Sequence, residues 1–334
     1  MNTVSNSNNN EKGVEVRTHD IPVADAMSEF MKQGWAPSPL SGINPHPSIP
    51  YTKLRREKLS KQYPGIRLVF PAGSLKIRSN DSDYPFRAHS AFSWFTGIIA
   101  PDAVPDSVFV MEPNTKGHED LLFIYPRSAR DNDEFYKNTR YGEFWVGRRM
   151  SLDETEIKYE LKVRQIESIE QLFADKKESL IIRGEDKKLD KLVTESEDKE
   201  KEFLNFTSLM RLVKDEYEID EMQKAVDASV RGFADMVRVF PAATSVTRGE
   251  RVIESAFYGR ARLEGNDLGY SSIVAAGSHA CVLHWIKNDG DVLPGDLVLI
   301  DAGVEVDSHY TADITRTFPV NGKFTETQRK IYMI

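Results

Sequence analysis

Two aspartates near the end of the 334-residue sequence sit in runs that otherwise read as apolar strands: Asp301 in "LVLIDAGVEV" and Asp313 in "YTADITRTFPV". The turn "LPGD" launches the first run, and a short polar stretch with Asp307 and Ser308 leads into the second, so the pattern predicts a hairpin. An ionised carboxylate among Leu, Val and Ile is expensive unless it is paired or bound to a cation. The two aspartates are 12 residues apart (313 minus 301), which lets facing strands aim both at one point. The pattern alone leaves three readings open: turn caps or structural ion pairs, a cation site, and a phosphatase-like nucleophile at Asp301, against which the hairpin counts. His284, in "VLHW", lies in an apolar run, where a lone histidine is more often a satisfied core residue. His279 and His309 read as surface or loop histidines, and Cys281 as a small apolar packing residue.

The elements that must position these residues can be read upstream. Apolar residues at Ile219, Met222, Val226, Val230, Phe233, Val237 and Phe240 recur every three or four positions, which predicts a long amphipathic helix ending near Pro241. "SVTRGERVIESAFYGRARLEG" reads as a second helix closed by Gly265, and "YSSIVAAG" opens strand territory. This order predicts two helices on one face of an antiparallel sheet. Thr325 and Gln328 form the signature of a capping box at the start of a last helix. Before these elements, "YTKLRREKLSKQY" reads as a helix, and "IRLVF", "DSVFVMEP" and "DLLFIYP" read as strands. With helical "IESIEQLFADKK" they argue for an α/β domain. The charged run from Gly184 to Phe203 reads as a boundary helix or linker, and "AMSEFMKQGWAPS" as a short helix able to lie against the body.

Composition bounds the function. A 40% apolar, 10% aromatic chain of this length can build two real cores. A net charge of -8 without a basic tract argues against nucleic acid as a partner. One cysteine excludes an internal disulfide framework, and no apolar run approaches the ~20 residues of a membrane span. The polar start "MNTVSNSNNNEKG" lacks the apolar core of a signal peptide and reads as disordered, so the expected location is cytoplasmic.

The stretch "LVLIDAGVEVDSHYTADITRTFPVNGKFTETQRKIY", with "ACVLHWIKNDG" upstream, resembles the Xaa-Pro aminopeptidases (aminopeptidase P) of the pita-bread metallopeptidase family. "RSNDSDYPFRAHSAFSWFTG" resembles the N-terminal domain of these enzymes, and "RLVKDEYEIDEMQKA" the entry to their catalytic domain. The hairpin carries one residue more between its aspartates than is usual in such relatives. The resemblance implies an α/β (α+β) chain: a flexible extension over 1–40, an N-terminal domain over 41–190, a charged boundary segment over 191–211 and an incomplete pita-bread domain over 212–334.

By position, Asp301 and Asp313 then correspond to the first two ligands of a centre of two divalent ions, usually Mn2+, and His284 to the histidine beside the reacting carbonyl. Carboxylate oxygens suit such hard cations, and a hydroxide held between two of them is nucleophilic at neutral pH. The implied reaction removes the first residue from peptides with proline in second position, a bond that most peptidases cannot bind because proline lacks an N–H and has a fixed φ. The implied assembly of the full-length protein is a homodimer or homotetramer, and "FRAHSAFSWFTG" reads either as an oligomer contact or as core. The family completes its site with a histidine and two glutamates that the resemblance places beyond Ile334. The expectation is therefore an enzyme by family whose 334-residue chain is inactive alone; the alternative is a non-catalytic interaction module of the same fold.

Overall fold

The computed structural model describes residues 24–80 and 82–334. They divide into two compact units, with the boundary between Ser208 and Leu209. The expectation of a disordered start falls mostly on residues 1–23 and lies outside the described residues. From there the chain departs from a flexible extension, because Asp25–Met31 is a helix tied to the first unit. Ser28 Oγ donates to Asp133 Oδ1 at 3.3 Å, Lys32 pairs with Asp133 at 2.6 Å, and Trp35 sits edge-on to Phe135.

The first unit is built on a five-stranded mixed sheet in the order Lys162–Gln165, Gly117–Ile124, Val108–Asn114, Arg67–Pro71, Ser179–Ile181. Arg67–Pro71 is buried throughout, because both faces of the sheet are covered. Val69 packs with Val110, Phe123, Phe173 and Ile181, and Phe70 meets Phe95, Phe109 and Phe203 on the other side. The aromatic run "FRAHSAFSWFTG" is core: it forms the helix Ser90–Thr96, and Phe92 and Phe95 are wholly buried. The charged run is not a linker. It forms the helices Lys187–Leu192 and Glu197–Met210, with Phe203 and Thr207 wholly buried and Arg183 binding Glu200 through two nitrogens at 2.7 and 2.6 Å.

Arg67 is buried at the head of its strand and binds Glu112 at 2.5 and 3.1 Å and Asp175 at 3.0 Å. Burial opposes charge on Glu112, but the bonds from Arg67 and Lys177 outweigh it and hold this carboxyl below its ordinary range. A lowered carboxyl pKa contributes stability that is present at neutral pH and is lost as pH falls through the acid range. We predict that Arg67→Met costs about 3 kcal/mol at pH 7, because it breaks a buried ion pair, and that the difference from wild type narrows below about pH 4. Urea unfolding at the two pH values checks this; equal midpoints at pH 7 would refute it.

In the second unit, helix α1 (Glu216–Arg238) and helix α2 (Gly249–Glu264) pack with the antiparallel strands β1 (Ile273–Ala276), β2 (Leu297–Ala302) and β3 (Ile314–Pro319), whose sheet order is β3-β2-β1. Phe233, Met236, Ile253, Phe257, Val274, Val298 and Ile300 form their shared core, as the order of elements predicts. Asp215 caps α1: its Oδ1 accepts the N–H of Glu218, and Glu218 Oε2 accepts the N–H of Asp215. The core-facing side of α1 differs from the expected stripe. It runs through Ala225, Ala228, Ser229, Gly232, Phe233 and Met236, while Ile219, Val230 and Val237 are exposed. The reason is close packing: a Cβ on Gly232 would lie 2.6 Å from the Phe257 ring, so small residues, not the largest ones, mark the contact.

Candidate metal centre

The predicted hairpin is present, but its first strand is shorter than the sequence run. β2 pairs with β3 from Leu297↔Pro319 to Ala302↔Ile314, and then "VE" leaves to pair with Asp267–Leu268. Gly303 makes the break, because a Cβ there would lie 1.6 Å from the Ala312 carbonyl oxygen. Along β2, Val298, Ile300 and Ala302 face the core, while Leu297, Leu299 and Asp301 face the other way. The aspartates are therefore not buried as the sequence suggests: Asp301 is half-buried and Asp313 exposed.

Asp301 stands opposite Thr315, and Asp313, two residues before Thr315, falls on the same side of the hairpin. Tyr270 makes the convergence explicit. Its hydroxyl lies 2.5 Å from Asp301 Oδ1 and 3.1 Å from Asp313 Oδ1, and Thr315 Oγ1 donates to Asp301 Oδ2 at 2.9 Å. Burial, then the bonds and charges of Asp301 and Asp313, push the Tyr270 phenol well above its ordinary range, so it is a proton donor at neutral pH. Among the described residues no ion pair involves either aspartate, and Asp301 lies within a strand rather than at a turn. An ion-pair role for either aspartate and a turn-cap role for Asp301 thus find no support among the described residues, and the donor set, four carboxylate oxygens beside two hydroxyls, fits hard divalent cations. It is too small for two of them, which take about six ligands each. Among the described residues no group of three or more His, Cys, Asp or Glu side chains is arranged to hold a metal.

His284 is exposed on the segment between β1 and β2 and does not join the aspartates in a ligand set. Cys281 is exposed, not packed, because the turn Gly277–Cys281 carries it outward. His279 is not a simple surface histidine: its Nδ1 lies 2.9 Å from the carboxylate of the wholly buried Glu250, and its ring stacks on Trp285 at 3.8 Å. His309 lies in the hairpin loop at φ 65. Neither Tyr270 nor Glu250 was evident from sequence pattern, since each is defined by partners distant along the chain.

These two units carry the two halves of a known pairing. Residues 52–182 match the model of the aminopeptidase P N-terminal domain, and residues 220–334 match metallopeptidase family M24. The chain belongs to that metallopeptidase family, within its aminopeptidase P group. It is 45% identical over 313 residues to Xaa-Pro aminopeptidase 1 of Streptomyces coelicolor, a match covering 93% of this chain and 62% of the relative. Among solved structures it resembles the low-pH form of aminopeptidase P from Escherichia coli, with a TM-score of 0.69, 29% identity, and coverage of 84% of this chain and 64% of that one. A zinc-substituted form of the E. coli enzyme in complex with product matches with a TM-score of 0.68 and 28% identity, over 86% of this chain and 66% of that one. The chain thus spans less than two thirds of the length of the curated relative. Among the described residues no helix is long and apolar enough to cross a membrane.

The shared hydroxyl leads to a direct prediction. Tyr270→Phe removes a hydroxyl whose single proton the two carboxylates share, and at a metal site the loss of such an outer hydrogen bond weakens binding by about 10-fold or more. Manganese titration followed by electron paramagnetic resonance checks this, and unchanged affinity would show that the aspartates are oriented without Tyr270.

Proposed function

We propose that this chain contributes to a metallo-aminopeptidase that removes the first residue from peptides with proline in second position. In this reading residues 41–190 form the N-terminal domain, 191–211 are the charged boundary segment, and 212–334 carry part of the catalytic domain. Asp301 and Asp313 hold divalent ions, with Mn2+ the expected metal, and His284 acts beside the reacting carbonyl. The observation that carries the reading is the convergence of Asp301 and Asp313 on one Tyr270 hydroxyl, with no cationic side chain among the described residues paired to either. When bound, the metal pair supplies Lewis acidity and an activated water nucleophile. The chain's own part is to present hard oxygens at a fixed spacing on a paired hairpin, and to keep the Tyr270 proton directed at them. Two aspartates are too few donors for two ions, so the site needs further ligands, which the family resemblance assigns to a histidine and two glutamates. A cytoplasmic location and a homodimeric or homotetrameric assembly of the full-length protein belong to the same proposal.

The test uses the 334-residue chain itself. We predict weak manganese binding, about millimolar in Kd, lost in Asp301→Ala, and no amino acid released from an Xaa-Pro peptide. Manganese binding unaffected by Asp301→Ala would refute the ligand assignment. Manganese-dependent cleavage by the purified chain would refute the need for further ligands.

A further inference from the structure

Glu250, in the first turn of α2, is wholly buried, yet no Lys or Arg pairs with it among the described residues. Four N–H donors and ring nitrogens surround its carboxylate instead. Oε1 accepts from the Ala276 backbone at 2.8 Å and lies 2.9 Å from His279 Nδ1; Oε2 accepts from the Trp285 indole at 2.8 Å and from the Gly290 backbone at 2.7 Å. These fill the roughly four lone-pair sites that a carboxylate offers. The donors fall on both sides of the exposed Val282–His284 apex: Ala276 and His279 before it, Trp285 and Gly290 after it.

Neighbouring contacts close the same segment. Arg251 Nη2 donates to the Lys287 carbonyl at 2.6 Å, and buried Asn288 accepts from Val274 N–H while donating to Glu254 Oε1 and the Ser272 carbonyl. At Gly290 a Cβ would lie 2.4 Å from the His279 ring, so the two legs of the loop touch beside the carboxylate. Ala276 ends β1, and β1 pairs with β2 as far as Ile273↔Asp301. One continuous set of hydrogen bonds therefore runs from Glu250 through β1 to the strand that carries Asp301.

We propose that Glu250 is a positioning residue: it draws both legs of the loop onto α2 and so fixes the height and direction of His284 relative to Asp301. This rests on the reading above, in which His284 acts beside the reacting carbonyl. A carboxylate is suited to the task because it accepts from all four groups at once, whereas an amide of the same shape would point donors at two of them.

The test needs neither metal nor turnover, so its failure is separate from failure of the manganese titration. In the 334-residue chain, tryptic cleavage after Lys287 and the ring NMR signals of His284 are compared among wild type, Glu250→Gln, Glu250→Ala and Phe257→Leu. The last variant weakens the core of the same helix and removes none of the hydrogen-bonding groups around Glu250. Losing all four bonds to the carboxylate should raise cleavage after Lys287 by about 10-fold or more in Glu250→Ala, with Glu250→Gln between it and wild type. The His284 signals should move toward those of a free histidine in both variants and stay at their wild-type positions in Phe257→Leu. If Glu250→Ala does not fold, Glu250→Gln carries the test. Wild-type cleavage and His284 signals in Glu250→Gln, or changes no larger than those of Phe257→Leu, would overturn the proposal.

Discussion

In a protein that joins this chain to the remainder of the family's catalytic domain, Asp313→Ala is expected to lose manganese and Xaa-Pro cleavage together. Asp313 and Asp301 converge on one hydroxyl, and each offers two hard oxygens, so removing either halves the carboxylate donors that the chain contributes. Metal affinity depends on a complete and deprotonated ligand set, so occupancy should fall to background rather than decline slightly. The fold should not suffer. Asp313 is exposed and makes no ion pair among the described residues, and such surface changes stay within about 0.5 kcal/mol. Asp313→Asn separates charge from shape: it keeps the side-chain volume and should lose the metal as well. Metal content per chain by mass spectrometry, with turnover on an Xaa-Pro peptide, reads both effects. Full manganese occupancy in Asp313→Ala would remove Asp313 from the ligand set.

How much of this was legible depended on whether the relevant partners were near in sequence. The capping box at Thr325 was, because both its bonds are local: Gln328 N–H to Thr325 Oγ1 at 3.2 Å and Thr325 N–H to Gln328 Oε1 at 2.8 Å. The hairpin was legible from alternation and turn residues, and the two helices from their periodicity and from Gly265. The core-facing side of α1 was not, because hydrophobicity picked out Ile219, Val230 and Val237 whereas the contact needed small residues opposite Phe257. The end of β2 was hidden for a similar reason. "LVLIDAGVEV" looks continuous, and only the approach of the Ala312 carbonyl explains the break at Gly303.

The site divides along the same line. Asp301 and Asp313 stood out because a carboxylate in a strand needs an explanation. Glu250 did not, since in "GERVIESAF" it looks like one more charge on a solvated helix face. Its burial depends on donors 26 to 40 residues further on, which no local pattern reveals. His279 lies in the loop, as its sequence context predicts, but its contact with Glu250 is hidden for the same reason.

His284→Ala, in the same joined protein, should leave bound metal in place and lower kcat by about 10²-fold or more, the loss typical of a donor aimed at a reacting carbonyl. The two halves of this expectation come from different observations. Metal retention follows from the site: the imidazole joins neither aspartate in a ligand set, and His284 lies on the exposed apex of a loop whose legs are tied to α2 through Glu250. The loss in turnover follows from the reading of His284 as the group beside the substrate carbonyl, where a hydrogen bond strengthens as charge develops on oxygen. Because such a bond is made mainly in the transition state, kcat should fall more than KM rises. Stability should not change, since an exposed ring contributes little packing. His284→Gln, which keeps a hydrogen-bond donor on a flexible chain, should recover part of the lost rate without altering metal content. Metal content and steady-state kinetics together decide the case. Loss of manganese in His284→Ala would make the histidine a ligand, and a wild-type rate with full metal would leave it with no part in the reaction.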